Sequence, residues 1–127
     1  MEKFYFYYAH LMEYYQRIED DLEKLYCQAC GKSAVEGFED VEKDPISVII
    51  RKLKTVQRQV NIIKLSDDEL KRIEIMCKNR NYCVHSCFIE FSLEERIKDH
   101  KAEGIVQKLI ASFEEAESIM EMLNEKF

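Results

Sequence analysis

Arg80, Asn81 and His85 put a guanidinium, an amide and an imidazole inside six residues of the stretch KNRNYCVHSCFIEF, which runs from Lys78 to Phe91. A guanidinium offers a two-pronged donor fork to a phosphate and to the charge that builds on it during reaction. An imidazole titrates near neutrality, so it can take a proton from a hydroxyl or return one to a leaving oxygen. Asn81 precedes His85 by four residues, one helical turn, and can steady the ring or a sugar. The stretch lies midway along a helix that also carries an apolar stripe, where polar groups are costly unless they are paired or used. On an ideal α-helix Arg80 and His85 point about 140° apart, so they converge only on a kinked helix or across a dimer. The structural alternative pairs Arg80 with a carboxylate of the first or last helix and leaves His85 as an ordinary contact histidine. His10 and His100 read as surface residues.

The elements that must hold this trio are helical. Phe4, Tyr8, Leu11, Tyr15, Ile18, Leu22, Leu25 and Ala29 alternate four- and three-residue steps, which predicts a first helix over residues 3–29. Phe6, Tyr7 and Tyr14 lie off that seam and imply a second contact surface, either a further helix or another subunit. Residues 30–44 contain two glycines and read as a loop, with Gly31 at the helix C-cap. The Gly31-Lys32-Ser33 triplet is not a phosphate loop, because Tyr26 stands where the earlier glycine would be. Asp44-Pro45 predicts a helix start, followed by an apolar face of Ile46, Ile49, Ile50, Leu53, Val56 and Val60 to about residue 63. Ser66 and Glu69 form a capping box with Leu65 stapled onto Leu70, opening a third helix to about Phe91. Its seam runs Leu70, Ile73, Cys77, Arg80, Val84, Cys87, Phe91. Ser92 and Glu95 repeat the capping box, predicting a new helix from residue 93 that bends near Gly104. Val106, Leu109, Phe113, Ala116, Met120, Leu123 and Phe127 then mark a last helix. The expectation is one all-α domain over residues 1–127. It is an antiparallel up-down bundle of four long helices, with a short extra helix over 93–101 before the last.

Composition agrees. The 127 residues are 46% hydrophobic and 35% charged with three glycines and one proline, a mix that suits compact helices better than strands or disorder. No apolar run approaches the ~18 residues needed to span a membrane, and no secretion signal is recognisable. Five cysteines, an odd number, fit reduced thiols in a cytoplasm. Cys27-x-x-Cys30 could join the Cys83/Cys87 pair around zinc, but buried thiols are the simpler reading, and no metal or cofactor is expected. Net charge is −6, yet residues 45–85 hold nine Lys/Arg against four Asp/Glu, while the remainder holds ten against twenty-one. A basic middle flanked by acidic ends can draw phosphates to one surface, or can simply solvate two helix faces.

Arg80-Asn81-x-x-x-His85 resembles the motif of the HEPN superfamily, whose ribonuclease members carry R-x(4–6)-H, commonly with asparagine after the arginine. The motif's place late in a central helix, the aromatics Phe88 and Phe91 after it, and a long final helix agree. The bare arginine–histidine spacing arises easily by chance, and the adjoining asparagine makes the match more specific. The resemblance implies a small helical bundle that dimerises, facing two motif copies across a cleft. It also implies metal-independent cleavage of RNA through the ribose 2′-hydroxyl, with Arg80, Asn81 and His85 catalytic. Substrate contacts are then expected from Tyr82 and from Arg51, Lys54, Arg58 and Lys78 of the basic segment. Members paired with a nucleotidyltransferase antitoxin often have tyrosine two residues after the histidine; Cys87 stands there, although Tyr82 lies nearby. Other members are non-catalytic. The alternative is therefore a helical module that binds a nucleotide, an RNA or a protein through the same cleft.

Overall fold

The structure is a computed structural model that describes residues 2–97 and 101–127, without the side chains of Ala34, 94–97 and Lys101. The described residues form helices and no strand: α1 (Glu2–Cys30), α2 (Ala34–Val41), α3 (Ile46–Val60), α4 (Asp67–Tyr82), a π-helical turn (Cys83–Cys87), α5 (Phe88–Ile97) and α6 (Lys101–Asn124). None is long and apolar enough to cross a membrane.

Helix α1 is the hub. Its predicted seam is buried from Phe4 through Leu11, Tyr15, Ile18, Leu22 and Leu25 to Ala29, and α2, α3 and α6 all pack against it. Two of the three off-seam aromatics have a partner on another helix: Phe113 of α6 meets Tyr7 edge-on and stacks on Tyr14, both with ring centroids 5.1 Å apart, while Phe6 stays exposed. At the N-terminal end Phe4 lies flat on Phe91, centroids 3.9 Å apart, which fastens the start of α1 to α5.

Three expectations about the chain's punctuation are corrected. Residues 30–44 are not all loop, because Ser33 accepts a hydrogen bond from the Glu36 N–H and so caps the two-turn helix α2. Gly31 does end α1, at φ +67°. Asp44 does not cap α3; its carboxylate accepts from Lys52, and α3 begins after Pro45 without a side-chain cap. Helix α3 stops at Val60, where Asn61 turns left-handed. Lastly, Ser92 opens no new helix. The chain stays helical from Asp67 through the π-turn to Ile97, so the short helix before α6 is α5, which starts upstream of residue 93, and α2 is a further short helix before α3. His100 and the end of the 93–101 segment lie outside the described residues. The other capping box forms as read: Ser66 Oγ accepts from the Glu69 N–H at 3.2 Å, and Glu69 accepts from the Ser66 N–H at 2.9 Å.

Gln57 fixes the α3–α4 connection. Buried against the loop, its amide oxygen accepts from the Lys64 and Leu65 N–H groups, both at 2.9 Å, and its nitrogen donates to the Leu65 carbonyl at 3.1 Å. A loop that must pass over the core is thus satisfied by one side chain.

Candidate functional site

The trio sits where α4 gives way to the π-turn. Such a turn closes hydrogen bonds from i to i+5 and accommodates one more residue than an α-turn, an arrangement frequent at functional sites. It brings residues five apart nearer one face than an uninterrupted α-helix would, which eases the separation of Arg80 and His85. It also changes the seam: Cys83 and Cys87 are buried, whereas Val84, expected inside, is exposed.

Arg80 lies half-buried, its side chain 28% exposed, with one nitrogen 4.0 Å from a Glu19 carboxylate of α1. Its Nε is sealed from solvent and has no hydrogen-bond partner. An ion pair this loose and part-exposed is worth about 0–1 kcal/mol. An unsatisfied buried donor costs about 1–3 kcal/mol. The guanidinium is therefore only partly satisfied within its own protomer. Asn81 and His85 are exposed and make no side-chain hydrogen bond. Around His85 run Val84, Phe88 and Ile89, all exposed, Ile89 by 67%. Neither Arg80, Asn81 nor His85 lines any of the described cavities of 660, 450, 430 and 260 Å³.

The expected substrate contacts separate into two groups. Lys78 is exposed two residues before the motif. Tyr82 leans toward α6, where it lines the 260 Å³ cavity with Asn79, Lys108 and Ser112. Its hydroxyl donates to Glu90 at 2.6 Å, and Lys108 stands 5.3 Å above its ring. Burial first, and the Glu90 carboxylate second, push its pKa up. The cations of α3 are placed otherwise. Lys54 is committed to Glu74. Arg58 lines the 450 Å³ cavity with Leu70, about 20 Å of helix from His85. Arg51 is exposed one turn from Lys54 toward the motif end. Of the basic segment, Lys54 is thus taken by Glu74 and Arg58 stands at the far end of α4.

The zinc reading loses its geometry. Cys27 and Cys30 end α1, while Cys83 lies beside Tyr15, some 12 residues or about 18 Å back along the same helix. No His/Cys/Asp/Glu cluster among the described residues could hold a metal ion. Cys83 and Cys87 are instead a buried pair of neighbouring thiols, whose interaction draws Cys83 down to about 7 against the effect of burial and pushes Cys87 up. Glu19 and Lys108 are the neighbours that sequence reasoning missed. Each stands one residue from a seam position, and only tertiary packing shows which neighbour of the seam faces the site.

Comparison with known proteins gives no match: no family model, no curated protein and no solved structure is similar to this chain.

Proposed function

We propose that this protein is a metal-independent endoribonuclease of HEPN type, built as an up-down bundle of α1, α3, α4–α5 and α6 and acting as a cytoplasmic homodimer. The observation that carries the reading is the Arg80 guanidinium, half-buried with its Nε unpartnered beside an open asparagine and an open imidazole. A guanidinium that its own fold does not fully use is available to a phosphate.

In this reading His85 of one protomer takes the proton of the ribose 2′-hydroxyl. The freed oxygen pair attacks phosphorus, and the bond to the 5′-oxygen breaks. The second copy's imidazole, in its protonated form, gives its proton to that oxygen, leaving a cyclic 2′,3′-phosphate and a 5′-hydroxyl. Arg80 neutralises the charge that builds on the non-bridging oxygens. A second copy is needed because one protomer supplies one imidazole, and none of the described cavities lies at the motif. The exposed Val84, Phe88 and Ile89 supply apolar surface for that copy to cover.

The test is cleavage of total RNA in EDTA by purified protein and by His85→Ala. Cleavage by the wild type alone is expected. Equal cleavage by both, or by neither across a range of salt, overturns the proposal. The same apolar stripe favours a second reading, a non-catalytic module that binds a nucleotide, an RNA or a protein over the motif. A rise in melting temperature with one of these, without cleavage, would select it.

A further inference from the structure

On another part of the molecule, a cavity of 660 Å³ opens between α1 and α2. Its apolar lining includes Val35, Phe38 and Phe127, and Val35 is 68% exposed and Phe38 43%. Helix α2 can sit close because Gly37 has no side chain: a Cβ there would stand 2.7 Å from the Cys27 sulfur. Four carboxylates also line the cavity, from Asp20 and Glu23 of α1, Glu39 of α2, and Glu42 just beyond it. Asp20 is answered by Lys24 at 2.9 Å. Glu39 and Glu42 have no such partner.

Glu23 is the decisive residue. It is only 7% exposed, yet it makes no hydrogen bond and no ion pair. Burial, reinforced by Glu19, Asp20 and Glu42, raises its pKa. Its carboxylate oxygens still reach the solvent of the groove, where an arriving cation would meet them. The face of α1 that lines the groove runs from Asp20 to Gln28, about 12 Å, the length of some two turns of a docked helix. A negative surface of this kind repels nucleic acid and anionic lipid, and it matches a basic peptide.

We propose that the groove between α1 and α2 docks a basic amphipathic helix of a partner protein, which lays an aliphatic face on Val35, Phe38 and Phe127 and sets a lysine or arginine against Glu23. The site is separate from the motif face and does not depend on the nuclease reading.

The probe is a short labelled synthetic helix with leucine on one face and lysine on the other, titrated with the full chain by fluorescence anisotropy. Binding is expected to be salt-sensitive, weaker by about tenfold in Glu23→Gln and in Phe38→Ser, and unchanged in Glu114→Gln, an exposed acid of α6. Absence of binding overturns the proposal. So does equal weakening by Glu114→Gln, which would mean general attraction to an acidic protein, or equal binding of a leucine–glutamate helix. Sedimentation of the chain alone is the remaining arm: self-association lost in Phe38→Ser would seat a second copy in the groove and exclude the partner helix.

Discussion

Arg80 and His85 differ in what the fold asks of them. His85 touches nothing that the fold needs, so His85→Ala should leave the melting temperature within about 1 °C while removing RNA cleavage in EDTA. Arg80 makes the sharper case. Its pair with Glu19 is loose and its Nε is unsatisfied, so replacing it by an apolar chain of similar reach removes more cost than benefit. Arg80→Met should be neutral or should stabilise by about 1 kcal/mol in urea unfolding, while cleavage is lost. A loss of about 2 kcal/mol or more would make Arg80 a structural residue.

At the scale of the element, the π-turn is one residue of excess length inside a helix otherwise continuous from Asp67 to Ile97. Deleting exposed Val84 should convert it to an α-turn, keep the helical circular-dichroism signal, and abolish cleavage by changing the relative facing of Arg80 and His85. The start of α4 gives a stability test. Ser66→Ala should cost about 1 kcal/mol, as cap removal usually does. The acid limb of the stability curve depends instead on Glu69. The Ser66 N–H, with Lys126 behind it, holds the Glu69 carboxyl below its usual pKa. A depressed folded-state pKa contributes stability that is present above the unfolded carboxylate pKa, about 4.3, and is lost as pH falls through the folded value. Glu69→Gln should therefore flatten the pH dependence of the melting temperature below that range.

For the whole molecule, the proposed nuclease needs two copies, and the exposed stripe beside His85 is where they would meet. Ile89→Glu puts a charge on the most exposed apolar position of that stripe, where the side chain supports no core contact. It should leave the fold intact, shift sedimentation toward the monomer, and reduce cleavage by at least about tenfold. A monomeric wild type that still cleaves RNA would remove the composite cleft. The charge asymmetry belongs to this scale too. The acidic groove between α1 and α2 faces a different class of partner from the motif face, so salt should weaken the two interactions independently.

The sequence by itself determined the helices with strong periodicity. The α1 seam, the Ser66–Glu69 box and the all-helical composition depend on local spacing and on the burial of one face, and both are written along a single segment. Those signals could not reveal α2, an eight-residue helix whose cap, Ser33, resembles any loop serine. Nor could they show that Ser92 falls inside a helix, because a capping pattern starts a helix only where the preceding turn is not already packed. Tertiary structure decided the site. It left Arg80 half-buried against Glu19, kept Asn81 and His85 open, drew Tyr82 toward α6 and held Arg58 near the far loop. The physical reason is that exposure and partnership are properties of neighbouring helices, and a residue's own segment carries no record of which carboxylate, ring or empty groove will stand opposite it.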